Sequence, residues 1–474
     1  MTGLWCPGCP KATIQPRASL SNFYSLQPSS KILSTWDVII VGAGAAGLMA
    51  AASASSRGLK VLLLERNRKL GVKILMSGGT RCNITHNCSS AEIVSAFGRQ
   101  GKFLHSALAA LSPLQVIEKI ESQGVATKIE STGKIFPISN KAIDVRDALV
   151  GLARQAGAMI LNESSVDSVD KSGGQFLVQS AGEQFAAQSL LITTGGKSYP
   201  GCGTVGDGYG WAKQFGHSIV DTVPALVPIL NNAPWANELK GITIEKSKVE
   251  VWQPQIAPDS IEGLTKSQLK KLKPRILVER EGSFLFTHWG FSGPSVLDVS
   301  REVARHAHAK RLKLNCDFLP TMSPGELDEL LVRRKSQNGK QSVANLLSEL
   351  FPKRLAESLL TQAGNNSQLG ASFELQTKNA ELSKKDLSAI ASQVKRCQFN
   401  VSGTLGFEKA EVTAGGVELK EVDSKTMQSK LVDGLFFAGE VLNLDGPIGG
   451  FNFQSAFSTG WLAGQWCGGQ GVGA

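Results

Sequence analysis

The chain has 474 residues, 42% hydrophobic and 19% charged, with a formal net charge of +10. That length allows two or three domains and a large core, and the composition excludes an intrinsically disordered chain. No apolar run approaches the length of a membrane-spanning helix, so no membrane partner is expected.

Residues 1–35 contain Lys11, Arg17 and Lys31 but no acid, and six serines. With no apolar h-region, this bias points to an organellar transit peptide, for a chloroplast before a mitochondrion. The blander reading is a tail or a misjudged start, which would leave the protein cytoplasmic.

From Asp37 to Glu65 the pattern is strand, turn, helix, strand and acid. Val38 to Val41 is an unbroken apolar run, as in a parallel strand covered on both faces. Gly42, Gly44 and Gly47 follow at the spacing of a dinucleotide-binding turn. Gly42 permits the turn, Gly44 lets a pyrophosphate approach, and Gly47 brings the next helix close. That helix begins near Ala45, with its positive dipole end toward the phosphates. Val61 to Leu64 is the second strand, and Glu65 at its end can accept from an adenosine ribose.

Gly71 to Asn87 holds Ser77, Gly78 and Gly79 between Lys73 and Arg81. Such a loop can wrap the phosphates or the redox ring of a cofactor. The spacing then predicts helices over 104–123 and 142–156, and strands over 159–169 and 175–179 joined at Gly173-Gly174. Ser189 to Gly196 is an apolar strand ending in Thr-Gly-Gly, a second edge for a dinucleotide. Gly201 to Gly206 also fits GxGxxG, but Pro200 spoils a direct strand-to-turn entry, so a second nucleotide site is not expected.

Strands are expected at 242–251, 276–278, 283–286 and 312–315, then helices at 326–334, 343–350 and 354–361. Ser323-Pro-Gly-Glu326 is a capping box. His288, in a glycine- and aromatic-rich strand end, is a candidate proton donor or substrate contact; a packed loop histidine is the alternative. Lys270, Lys271, Lys273 and Arg275 are the densest basic cluster, without interleaved aromatics, which favours a solvated face over nucleic-acid binding. Of the eight cysteines, Cys6 and Cys9 form a C-x-x-C inside the expected leader, and Cys82 and Cys88 flank His86 with no second pair at metal spacing, so no metal is expected. Gly434 to Glu440 is a buried strand ending on an acid, and Gly446-Pro-Ile-Gly-Gly-Phe-Asn452 opens a final helix. Two glycine-rich helix starts at opposite ends of the chain suit a flavin dinucleotide. The second helix dipole can stabilise charge on the N1–C2=O edge of a reduced flavin.

Assembled, Ile74-Leu-Met-Ser-Gly-Gly-Thr-Arg-Cys-Asn-Ile-Thr85, Phe284 to Pro294, Thr413-Ala-Gly-Gly-Val417, Gly439-Glu440 and Gly449-Gly-Phe-Asn452 carry a resemblance. The chain resembles the BaiN/YhiN-type flavoproteins, a bacterial and plant family that includes aminoacetone oxidase. The resemblance runs from Trp36 to about Trp466, with departures at Thr80, His86 and Asn443. It implies an α/β fold: a Rossmann-like, glutathione-reductase-type FAD-binding domain with an inserted domain over the flavin. The expected boundaries are 36–223 and 400–474 for the FAD domain and 224–399 for the insert, β-rich over 241–320 and helical over 323–398.

Candidate contacts to the ADP half are Gly42, Gly44, Gly47 and Glu65, and candidates for the flavin half are Lys73, Arg81, Asn83, Gly195, Glu440, Gly450 and Asn452, with Glu440 on the ribityl chain. Further candidate cofactor contacts are Ala43, Ala45, Ala46, Arg66, Ser77, Gly78, Gly79, Val166, Thr194, Gly439, Gly449 and Phe451. The expected reaction is hydride transfer between flavin N5 and a small organic substrate. Reduction of an activated C=C with NAD(P)H, amine oxidation by O2, and a flavin-binding sensor without turnover all stay open here.

Overall fold

The computed structural model describes residues 32–255, 274–366 and 370–469. Strand β1 (Ile32–Val41) is an interior strand of a seven-stranded sheet. It pairs in parallel with β2 (Val61–Leu64) on one side and with Glu183–Ile192 on the other. Met159–Leu161 extends the sheet beyond β2, and Leu435–Phe437, from the far end of the chain, joins Glu183–Ile192 in parallel. The hairpin Val166–Ser172 and Gln175–Ser180 closes that edge antiparallel. Val38–Val41 and Val61–Leu64 are all buried, each side chain contributing about 1.5–3 kcal/mol relative to exposure.

Helix α1 (Ala45–Ser55) is buried along its whole length. It lies under the C-terminal helix Phe451–Trp466, and small residues set the distance. A Cβ on Gly460 would stand 2.2 Å from the Ala46 carbonyl oxygen, and one on Gly464 would stand 2.5 Å from that of Ala50. First and last segments therefore form one layer over the sheet.

Several elements differ from expectation, each for a local reason. Strand β1 starts at Ile32 rather than Asp37, because residues through Trp36 pair with Gln184–Ala187. Residues 1–31 of the expected leader lie outside the described residues, as do Lys270, Lys271 and Lys273. The helix expected over 104–123 is broken. A 3-10 turn (Gly98–Leu104) and the helix His105–Ala110 end at an extended Leu111, and Pro113–Glu121 starts anew behind a Ser112–Gln115 capping box. Pro113 cannot donate to an ongoing helix, but it suits a first turn. The two strands expected over 276–286 are one strand, Arg275–Phe286. Only Val343–Asn345 of the helix expected over 343–350 is helical, as a 3-10 turn.

A second, wholly antiparallel seven-stranded sheet runs through residues 229–404 and has its own core. Its heart is aromatic: Phe284 lies 4.9 Å from Phe286, 5.0 Å from Phe291 and 5.3 Å from Phe318, centroid to centroid. Helices Pro324–Gln337, Lys353–Gly364 and Lys384–Lys395 cover it, the first opened by the Ser323–Glu326 capping box. Ile219–Ala225 pairs with Val412–Val417 where the chain leaves the first unit and returns.

Candidate active site

The C-terminal ends of β1, β2 and Glu183–Ile192 open onto a cavity of about 560 Å³. Open parallel sheets bind ligands at this edge. One end is built from the turn after β1. Gly44 precedes α1 without any side-chain cap, so the first-turn N–H groups are left for a ligand. A Cβ on Gly44 would meet no atom within 4 Å, whereas one on Gly47 would stand 1.9 Å from the Gly42 carbonyl oxygen. Gly44 is thus cavity wall, and Gly47 is a helix-to-strand contact that does not line the cavity.

Glu65 stands at the end of β2. Its carboxylate accepts from the Ala43 N–H at 2.8 Å and from the Asn67 N–H and Nδ2 at 2.9 and 2.8 Å. These bonds fix the acid beside the glycine turn. Arg66 pairs with Asp207 at 2.8 Å and donates to the Gly203 carbonyl at 3.1 Å, while Asn67 donates to the Cys202 carbonyl at 2.9 Å. The Gly201–Gly206 loop is therefore tied to the glycine-turn end, and its Cys202, Gly203 and Thr204 wall the same cavity. Val166 and Ser164 complete this end.

The middle is held by an ionic cluster. Lys73, on α2 (Val72–Thr80), meets Glu440 at 2.5 Å and Ser198 Oγ at 2.6 Å. Glu440 also accepts from Ser198 Oγ at 2.7 Å and the Thr413 N–H at 2.9 Å. The carboxylate expected on a ribityl chain is thus already held by protein groups, which orient it toward the cavity it lines. Helix α2 breaks at Ser77–Gly79, with φ of +55° and +66° at Gly78 and Gly79, so the expected loop is a kinked helix end.

The far end lies under the insert. Arg81 is paired with Glu130 at 2.7 Å and sits over the Phe136 ring. Gly449 and Gly450 precede the uncapped helix Phe451–Trp466, whose N-terminus faces the cavity. Asn452 closes the preceding loop through Gly446, accepting from its N–H at 2.8 Å and donating to its carbonyl at 2.9 Å. The insert braces the same loop. Asp298 accepts from the Ile448 N–H at 2.8 Å, and Arg301 pairs with Asp445 at 2.6 Å.

The expected residues from Gly42 to Ala46, Glu65, Arg66, Lys73, Ser77, Gly78, Gly79, Arg81, Asn83, Val166, Thr194, Gly195, Gly439, Glu440, Gly449, Gly450 and Asn452 all line this one cavity. Phe451 does not; it stacks on His86 with centroids 4.9 Å apart. His288 is exposed beside Trp289 and is not among the lining residues. Sequence reasoning missed Asn67, Lys134, Phe136, Tyr199, Leu226, Glu411 and Ile448. Glu411 stands two residues before the Thr413–Val417 motif, and that adjacency was the available signal.

The residues present fit a flavin dinucleotide. Two uncapped helix N-termini face one elongated cavity, and Asn83 Oδ1 and Thr194 Oγ1 are buried in its wall without a hydrogen-bond partner. Orphaned buried acceptors at a cavity surface call for a ligand donor.

A family model described as "HI0933-like protein Rossmann domain" matches residues 36–466. The ribosomal RNA dihydrouridine synthase of Escherichia coli is 32% identical, covering 91% of this chain and 97% of its own. The 3-dehydro-bile acid delta(4,6)-reductase of Clostridium scindens is 29% identical, covering 90% and 97%. Among solved structures, a 3-ketosteroid-delta4-(5alpha)-dehydrogenase from Rhodococcus jostii is similar at 14% identity and a TM-score of 0.44, covering 94% of this chain and 98% of that one. The chain belongs to the HI0933-like Rossmann family of FAD-dependent oxidoreductases.

Proposed function

We propose that this protein reduces a carbon–carbon double bond conjugated to a carbonyl, drawing electrons from NAD(P)H. The observation that carries the reading is the uncapped N-terminus of Phe451–Trp466 at the insert end of the cavity. An oriented helix end in a site shielded from water stabilises negative charge without reorganising. When bound, FAD supplies the hydride acceptor and donor. Gly44 and the α1 N-terminus would bind the pyrophosphate, Glu65 the adenosine ribose, and Lys73 with Glu440 would fix the middle of the ligand. Leu226 and Ile448 would exclude water from the insert end, where Lys134 adds positive charge for a substrate carbonyl.

The relatives' names support this class, since both describe loss of a ring double bond: uridine to dihydrouridine in one, a delta(4,6) bile acid in the other. A uridine within RNA is a second reading, favoured by the net charge of +10 and by the identity to the ribosomal RNA enzyme. It runs against the expectation of no nucleic-acid partner. Reduced protein should be reoxidised anaerobically by 2-cyclohexen-1-one or by unmodified large-subunit rRNA, the RNA gaining two hydrogens per reacted uridine. Reoxidation by O2 alone would contradict the reading.

A further inference from the structure

Four carboxylic side chains line the cavity: Glu65, Asp207, Glu411 and Glu440. Three are engaged. Glu65 is held by Ala43 and Asn67, Asp207 by Arg66, and Glu440 by Lys73, Ser198 and Thr413. Glu411 differs. Its backbone is anchored, with its N–H donating to the Leu226 carbonyl at 3.1 Å. Its carboxyl makes no hydrogen bond or ion pair with any described residue and is exposed to the cavity. It stands at the end under the insert, where Leu226, Val412 and Ile448 are also wall.

The surroundings favour its neutral form. Although Glu411 is open to the cavity, the protein atoms packed around it desolvate the carboxyl and push its pKa up, and the nearby Asp298 carboxylate adds to the rise. Lys73 and Lys134 oppose it without cancelling it. A carboxyl whose pKa is moved upward and whose oxygens have no protein partner is suited to giving a proton to a bound substrate.

We propose that Glu411 is the acid that protonates the carbon next to the carbonyl when the conjugated double bond is reduced. This rests on the reading of the site as a C=C reductase. When bound, reduced FAD would supply a hydride to the carbon remote from the carbonyl, with the π-bond electrons moving to the adjacent carbon. The Glu411 O–H bond breaks as its proton bonds that carbon. The substrate gains two hydrogens, the flavin is oxidised by two electrons, and water returns a proton to the Glu411 carboxylate.

The test compares the FAD-loaded full chain with Glu411→Gln and Glu411→Asp. Glu411→Gln should bind FAD and be reduced by dithionite as the unaltered protein is. Its anaerobic reoxidation by 2-cyclohexen-1-one should slow about a hundredfold or more, with partial recovery in Glu411→Asp. Infrared difference spectra across a pH titration should show a protonated carboxyl band that persists above the range of a free glutamate and that Glu411→Gln lacks. Equal reoxidation of unaltered protein and Glu411→Gln would overturn the proposal and leave the reductase reading intact. A tenfold loss of FAD affinity in Glu411→Gln would overturn it too, making Glu411 a cofactor ligand. If the enone and rRNA reoxidise neither protein, the reductase reading fails and the proposal falls with it.

Discussion

Glu65 and Asp298 show what single side chains do here. Glu65 is almost fully buried and gives one oxygen to the glycine turn and the other to Asn67. Glu65→Gln should weaken FAD retention about tenfold or more, since hydrogen bonds to a charged group contribute ~1.5–3 kcal/mol and a neutral amide recovers only part. FAD titration by fluorescence quenching checks this, and unchanged affinity would place the ribose contact elsewhere. Asp298 tests the brace between insert and site. Burial raises its pKa to about 6, against the pull of the Ile448 N–H and of Arg280, Lys134 and Arg301. Between the ordinary carboxylate value and about 6, the folded protein holds a proton that the unfolded chain releases. Stability therefore falls as pH rises through that window. Asp298→Asn keeps an acceptor for Ile448 and should be more stable than the unaltered protein above pH 6, by ~1–3 kcal/mol, with the gap closing below pH 4. Melting temperatures at pH 4 and pH 8 measure it, and a pH-independent difference would contradict the assignment. The strand-end acid Glu65 was legible because a motif gives its position relative to Gly42. Asp298 and Glu411 were not, because their importance comes from elements more than a hundred residues away.

At the scale of elements, α1 and its turn separate two uses of glycine that look alike in sequence. Gly44→Ala should fold normally, because its Cβ enters the cavity, yet lose FAD affinity. Gly47→Ala should lower the melting temperature, with a cost of ~1–3 kcal/mol or more, because its Cβ meets the Gly42 carbonyl oxygen. Melting and FAD titration on both variants would expose the assignment as wrong if the two effects were swapped. Strand β2, α1 and the final helix were legible because apolar period and glycine punctuation agree over a short span. The break at Ser112-Pro113 was obscured by apolar spacing that continues across it on both sides. The aromatic run from Phe284 to Phe291 carried a different ambiguity. Its density suggested a site, but three phenylalanines fill the insert core and leave His288 outside at the turn. Composition alone does not tell a packed aromatic cluster from a binding one.

Among the described residues the two seven-stranded sheets have separate cores, and the second is braced onto the loop that opens the last helix. The discontinuous first unit could be anticipated because both its ends carry the same strand-then-glycine pattern. The contact between the units could not, since Asp298–Ile448 and Arg301–Asp445 join segments with no shared period. For the leader we propose import into an organelle, and a fusion of residues 1–40 to a fluorescent reporter in plant cells checks it. Reporter spread evenly through the cytosol would contradict import. The central claim is an FAD-dependent oxidoreductase with one elongated cavity for the cofactor. It is tested most directly by the visible spectrum of the purified full chain, recorded before and after anaerobic addition of NADH and then NADPH. A yellow protein that releases FAD on denaturation and bleaches with one of the two donors is the predicted result. Folded protein that is colourless, and stays so after incubation with FAD, would contradict it.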